Sequence, residues 1–318
     1  MTFVLLAAGL VLLLGGGEAL VRGAVAVAHR LGVSPVVAGL VLVGFGTSSP
    51  ELVTSLTAAL GDAPAIAVGN VVGSNICNIL LILGVTAALF PVDIDRRGFL
   101  RDGLVLAVVT AAAVALAFVG VVGRPVGLLL VAGIIAYVVY TYVEERRRHT
   151  PAEAVYSEEA ELMTSPRLGL PGGLAMAVAG IAGVVVGADL LVDAATTLAR
   201  AAGVSEAVIG LTLVALGTSL PELATAVVAG LKKQTEVAFG NVVGSNIFNI
   251  LFILGTTATV QPLAFPAEIV RFDIWVMAAA TVAMIGAVVT GFRITRREGA
   301  ALLVAYVVYI GYLAQTSL

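Results

Sequence analysis

Residues 39–52 read GLVLVGFGTSSPEL, and residues 210–223 read GLTLVALGTSLPEL; ten of the 14 positions match. Thirty residues further along each copy, 69–84 read GNVVGSNICNILLILG and 240–255 read GNVVGSNIFNILFILG, with 14 of 16 identical. Both pairs are offset by 171 residues, so a whole hairpin has been duplicated without a gap. Glu18 and Asp189 keep the same offset and carry the duplication weakly into the helix before it.

The setting of these copies is apolar. Of the 318 residues 60% are hydrophobic and only 12% charged, against roughly 25% charged in a soluble domain; mean hydropathy is +1.09. Charges gather in short clusters, and the stretches between them reach the length of about 20 residues that crosses a bilayer. Such spans must be helical, because hydrocarbon offers the backbone no partner. Ten are expected, at about 2–24, 35–60, 64–89, 103–121, 124–143, 171–197, 205–229, 234–259, 272–291 and 299–316. The first is too long and Gly-rich for a cleaved leader and is expected to be retained. Cys77 is the single cysteine, and His29 and His149 fall at span ends. An internal disulfide, a thiolate metal site and most histidine-based catalysis are thereby excluded.

The basic residues orient the chain. With the N-terminus outside, inner loops hold Arg22, Arg30, Arg96, Arg97, Arg101, Arg146, Arg147, Arg148, Arg167, Lys232, Lys233, Arg293, Arg296 and Arg297. Outer loops hold Arg124, Arg200 and Arg271, the remainder of the 17. Both termini are therefore expected outside a cell membrane. Each half has five spans, an odd number, so the second half enters from the opposite side. The expected fold is an all-α integral membrane protein of ten transmembrane helices in two inverted five-helix repeats, the plan of many secondary transporters. The first repeat covers 1–143, with an ion-binding hairpin at 35–89. The second covers 171–318, with its hairpin at 205–259. The charged, Pro-containing segment 144–170 is read as a solvated cytoplasmic linker.

Glu51 and Glu222 stand inside apolar spans, where a carboxylate costs several kcal/mol unless paired or facing a cavity. No Lys or Arg lies nearby in either hairpin, so a bound cation is the simplest partner; a protonated, hydrogen-bonded Glu is the plain alternative. Pro50 and Pro221 precede the glutamates. Proline lacks an N–H and crowds the carbonyl four residues back, which frees the oxygens of Gly46 and Gly217 and loosens those of Thr47 and Thr218. Asn70, Ser74 and Asn78 share one helix face, and Asn241, Ser245 and Asn249 repeat it. Interhelical hydrogen bonding is the expected role of Asn70, Asn75, Asn241 and Asn246. Gly69 with Gly73, and Gly240 with Gly244, are spaced for close helix packing. Every candidate ligand is oxygen, which suits Ca2+ and Na+ better than zinc or copper. Two carboxylates balance one Ca2+ or two Na+, and mutually exclusive occupancy is the physical basis of exchange.

The paired GTS-x-PE and GNxxGSN signatures resemble the two alpha-repeats of the Ca2+/cation antiporter superfamily, and within it the prokaryotic sodium/calcium exchangers. The resemblance runs over essentially the whole chain. It implies that Glu51 and Glu222 coordinate Ca2+ and share in Na+ binding, with main-chain oxygens of Thr47 and Thr218. It implies that Ser48, Ser74, Ser219 and Ser245 complete the sodium sites, with main-chain oxygens near Gly44 and Ala215. Asn78 and Asn249 would lie between the glutamates, and the Gly-rich first and sixth spans would slide as gates. Many relatives carry Asp where this chain has Asn249, and in potassium-dependent exchangers that Asp is tied to K+. Asn therefore implies K+-independent exchange. No cofactor, nucleic acid or obligate protein partner is implied; the partners are Ca2+, Na+ and the bilayer. An H+/Ca2+ antiporter on the same scaffold is the alternative, ahead of a cation channel or an intramembrane enzyme. An inverted two-fold core within one chain argues against a channel. A protease would need a Ser/His pair, an Asp pair or HExxH, and none stands at midplane. Glu18, Asp189 and Asp193, in the first and sixth spans, are read as solvated helix-end charges in preference to lining an ion path.

Overall fold

The apolar runs become helices, and eight of those described are long and apolar enough to cross a membrane. The computed structural model describes residues 2–33, 37, 39–61, 64–148, 169–201 and 217–316. In chain order the helices are α1 (Thr2–Leu31), α2 (Ser49–Leu60), α3 (Pro64–Leu89), α4 (Arg96–Val119), α5 (Arg124–Arg148), α6 (Leu170–Ala201), α7 (Leu220–Leu231), α8 (Thr235–Val260), α9 (Ile269–Val289) and α10 (Arg296–Thr316). A π turn, Gly39–Val43, and a single α turn, Gly44–Thr47, lead into α2. The expected spans 35–60 and 205–229 thus end in the short helices α2 and α7, of 12 residues each; residues 205–216 lie outside the described set, as do 149–168 of the expected linker.

Helix ends run past the expected edges for local reasons. α4 begins at Arg96, not 103, because Asp95 caps it: its carboxylate accepts from Gly98 N at 2.6 Å. α1 continues to Leu31. α5 carries its helix to Arg148, into the segment expected to be linker.

Packing follows the 171-residue offset. α1 lies along α6 with glycines at the contact: a Cβ on Gly16 would sit 2.6 Å from Val184 N, and one on Gly187 would sit 2.6 Å from Leu13 N. No side chain fits there, so the two backbones meet directly. The end of α3 packs on α10, and the end of α8 packs on α5. Thr110 and Thr281, 171 positions apart, bring their hydroxyls within 3.5 Å of each other. Two tiny antiparallel ladders repeat the crossing: β1 (Val92–Asp93) pairs with β4 (Arg293–Ile294), and β2 (Val121–Val122) with β3 (Leu263–Ala264). Contacts thus run from one half of the chain to the other.

The core sits on α3 and α8. Of their most apolar windows, 78% and 94% are buried, against 39% or less for the other long helices. These are also the helices that carry the Asn and Ser stripes. Gly244 admits the π turn, its absent Cβ lying 2.8 Å from the Leu40 carbonyl carbon. Gly73, expected to do the same, has nothing within 4 Å among the described residues. Its equivalent contact would fall at Leu211, outside that set. Phe45, which matches Leu216 in the other copy, packs on Phe248 and Phe252 at 5.5 Å each.

Candidate functional site

Two chain breaks build the site. Ser48 (φ −82, ψ 6) ends one helical turn and starts α2; Ser219 (φ −91, ψ 0) stands in the same place before α7. In both, Pro50 or Pro221 occupies the first turn, where a missing N–H costs nothing. Glu51 and Glu222 follow it, each at the N-terminal end of a short helix, where free N–H groups and the helix dipole favour an anion. Neither Ser48 nor Ser219 uses its hydroxyl as a cap, which leaves both hydroxyls for other partners. A helix interruption thus stands beside each proline, although the Gly46 carbonyl, expected to be freed, accepts from the Ser48 N–H. The interruption falls at the serine, one residue after the threonine whose carbonyl was expected to loosen.

Ser48 Oγ donates to Glu222 Oε1 at 3.0 Å, across the two halves. Both glutamates are almost wholly buried, at 2% and 1% exposure. Among the described residues no hydrogen-bond partner reaches Glu51 Oε2 or Glu222 Oε2, and no group of three His, Cys, Asp or Glu forms.

The stripes on α3 and α8 close around this pair. Asn70 Nδ2 donates to the main-chain carbonyl of Glu51 at 3.0 Å and to Ser55 Oγ at 2.9 Å. Asn241 Nδ2 donates to the main-chain carbonyl of Glu222 at 3.4 Å, and its Oδ1 accepts from Thr47 Oγ1 at 3.2 Å. Asn75 Nδ2 bonds Val71 O on its own helix at 2.7 Å, and Asn78 Nδ2 bonds Asn246 Oδ1 at 3.0 Å. Asn70, Asn241 and Asn246 thus bond between helices as expected, whereas Asn75 turns back to the carbonyl four residues earlier on α3 and makes no interhelical bond among the described residues. Ser245 Oγ donates to the Gly44 carbonyl at 3.4 Å, and Ser74 is buried on α3. Among the described residues neither amide atom of Asn249 has a partner, and Asn78 Oδ1 likewise has none. Of the residues expected at the site, Gly44, Thr47, Ser48, Glu222 and Ser245 are joined directly or through Asn241. Thr218 lines a cavity, Ser219 is buried, and Ala215 lies outside the described residues.

Two features escaped the sequence. α3 widens into a π segment at Asn78–Leu83, and α8 does the same at Asn249–Ile253. Such bulges are frequent at functional sites, and both begin at the residue expected between the glutamates. The second feature is an Asp–Tyr pair in each half, buried in the first and half-buried in the second. Tyr137 Oη donates to Asp102 at 2.8 Å, and Tyr309 Oη donates to Asp273 at 2.9 Å. Arg101 adds a two-point bond to Asp102 at 2.6 and 2.8 Å and reaches Glu144 at 3.3 Å. Its counterpart is Phe272, which stacks beside Tyr309. Acids inside spans were the available signal; Asp102 was hidden by placing it outside the fourth span.

A cavity of about 520 Å3 opens between α6 and the starts of α2 and α7, lined by Ser49, Pro50, Asp189, Asp193, Thr218 and Pro221 among others. Asp189 and Asp193 therefore wall a cavity, where solvated helix-end charges were expected. The equivalent face of α1 is shut. Gly17 lies against Ala224 and Val228, and Lys232 bonds Glu18 at 2.8 Å, with Arg22 on the same carboxylate. Ala188 and Val53, the counterparts of Gly17 and Ala224, line the open cavity.

Comparison with known proteins agrees with this geometry. The family model described as sodium/calcium exchanger protein matches residues 1–143 and 172–315. A putative antiporter, CaxA, of Alkalimonas amylolytica is 36% identical over 304 residues, covering 95% of each chain. The sodium/calcium exchanger MaX1 of Methanosarcina acetivorans is 34% identical over 97% of each. Among solved structures, the sodium-calcium exchanger NCX_Mj soaked without Na+ and Ca2+ superposes with a TM-score of 0.83 at 30% identity, covering 98% of both chains.

Proposed function

Because the chain belongs to the sodium/calcium exchanger protein family, we propose that it exchanges Na+ for Ca2+ across the cell membrane by alternating access, without K+. The observation that carries the reading is the buried pair Glu51 and Glu222, each with a carboxylate oxygen that no group among the described residues satisfies. A buried carboxylate without a partner is expensive, and a hard cation placed between two of them removes that cost. The two negative charges accommodate one Ca2+ or two Na+, so one cargo excludes the other.

Thr47 and Thr218 contribute main-chain oxygens in this reading. Ser48, Ser74, Ser219 and Ser245 complete the sodium sites, with main-chain oxygens near Gly44 and Ala215. Asn78 and Asn249 lie at the centre, and a neutral Asn249 supports independence from K+. The cargo is handled by the protein's own oxygens, with no cofactor. Ten spans form two inverted five-helix repeats, 1–143 and 171–318, joined by the cytoplasmic segment 144–170, with both termini outside. The offset of 171 in sequence, and the contacts that respect it, support that arrangement. The basic residues put Lys232 inside, so the cavity beside Asp189 faces outward and α1 closes the inner side against α7. Alternating access then consists of α1 and α6 sliding together across a fixed core.

The test is ion binding by the purified protein. Calorimetric titration with Ca2+ should show saturable binding that Na+ displaces and K+ does not. Binding that survives Glu51→Gln and Glu222→Gln together would remove these carboxylates from the site.

A further inference from the structure

Glu51 and Glu222 are equivalent in sequence, yet they are held differently. Asn70 secures the Glu51 main chain and also bonds Ser55, so all its recorded partners belong to its own half. In the second copy Ala226 replaces Ser55 and offers no hydroxyl. The Asn241 carboxamide turns instead to Thr47 of the other half. Among the described residues no corresponding bond joins Thr218 to Asn70; Thr218 faces the cavity. Glu222 is therefore tied to the dipeptide Thr47–Ser48 at two points, through Asn241 at its main chain and through Ser48 at its carboxylate.

We propose that Asn241 is a positioning residue for the ion site, a clamp that fixes Glu222 relative to Thr47 across the two halves and so sets the spacing of two oxygens that meet the cation. The inference rests on the exchange reading above only for what the cation is. Asn241 is fully buried and flanked by Gly240 on α8, where no solvent competes for its amide. Turning the carboxamide over would set its oxygen against the Glu222 carbonyl oxygen, so the orientation is determined. Thr47 has one hydroxyl proton, shared between Val43 O at 3.0 Å and Asn241 at 3.2 Å. The clamp acts on placement; the amide itself need not touch the ion. Its loss loosens binding and leaves the carboxylates in place.

The experiment is a double-mutant cycle on the purified full-length protein, read as the Ca2+ dissociation constant by calorimetry and as KM and maximal rate of Na+-driven Ca2+ uptake. Thr47→Val should weaken Ca2+ binding about tenfold, the loss of one buried hydrogen bond, and Asn241→Ala by more, because it also loses the bond to the Glu222 carbonyl. The loss should fall on KM more than on the maximal rate, since it is a loss of ground-state binding. The double variant should be no weaker than Asn241→Ala alone, because the link that Thr47→Val cuts is already gone. Thr47→Ser keeps the hydroxyl and should recover most of the affinity that Thr47→Val loses. Asn70→Ala and Thr218→Val should combine additively. Additive losses at 47 and 241, or an unchanged dissociation constant with a reduced maximal rate, would overturn the clamp. Coupling of equal size at 70 and 218 would overturn its assignment to one half. Ca2+ binding without Na+-driven uptake would sink the exchange reading and leave the clamp to be judged on the dissociation constants. No Ca2+ binding by the unaltered protein would end both.

Discussion

Replacing Glu222 by Gln keeps the shape of the site and removes one charge. The Ser48 hydroxyl can still donate to the amide oxygen that takes the place of Oε1, so the α7 break should survive. The cation then meets a net charge of −1 where it met −2. Glu222 is 1% exposed, so solvent does little to screen the change. Withdrawing one partner from a buried ion pair costs about 3–5 kcal/mol, which converts to a roughly 150- to 5,000-fold loss of Ca2+ affinity. At Ca2+ concentrations that half-saturate the unaltered protein, uptake into Na+-loaded proteoliposomes should be undetectable. Glu51→Gln should behave alike, because one carboxylate cannot neutralise a divalent ion. The check is radiolabelled uptake paired with a melting curve to verify folding. A well-folded Glu222→Gln protein that keeps Ca2+ uptake within about tenfold would refute the electrostatic argument.

Three further outcomes follow from neighbouring features. Asn249→Asp adds a third carboxylate where neither amide atom has a partner among the described residues; ion selectivity or the pH profile of uptake should change without unfolding, and an unchanged pair of profiles would count against a central position for Asn249. Gly16→Ala puts a methyl group 2.6 Å from Val184 N and should impair both the melting temperature and uptake, whereas Gly15→Ala, with nothing within 4 Å, should leave both intact; equal effects would contradict close contact of α1 and α6. Asp102→Ala strips the buried Arg101 of a two-point partner and should cost about 3–5 kcal/mol in unfolding free energy, while Asp273→Ala breaks a tyrosine hydrogen bond worth about 1 kcal/mol. A larger loss at Asp273 in denaturant titration would reverse that ranking.

Much of this could be read from the sequence because the duplication is long and ungapped. Closely matching flanks around Glu51 and Glu222 point to one site built twice, and Pro50 and Pro221 locate the breaks to within a residue. The Asn stripes follow from helical periodicity, and most of the expected bonding roles hold. Other features leave no such trace. A π segment at Asn78 or Asn249 changes the hydrogen-bond register without changing composition. Two-residue strands such as β1 and β4 are too short for any alternation to register. Helix edges were misplaced where a cap decides them, as Asp95 does for α4. The difference between Asn70 and Asn241 depends on one partner, Ser55 against Ala226, and on the cavity that Thr218 lines. A sequence that presents the two halves as equals does not reveal it.

The central claim is that an outward Na+ gradient drives Ca2+ in through this site. It is tested most directly by radiolabelled Ca2+ uptake into proteoliposomes loaded with Na+, K+ or low-pH buffer and diluted into Na+-free neutral medium. Uptake from the Na+-loaded vesicles alone is the predicted result. Uptake only from the low-pH vesicles would contradict it, and would make Glu51 and Glu222 proton carriers on the same scaffold.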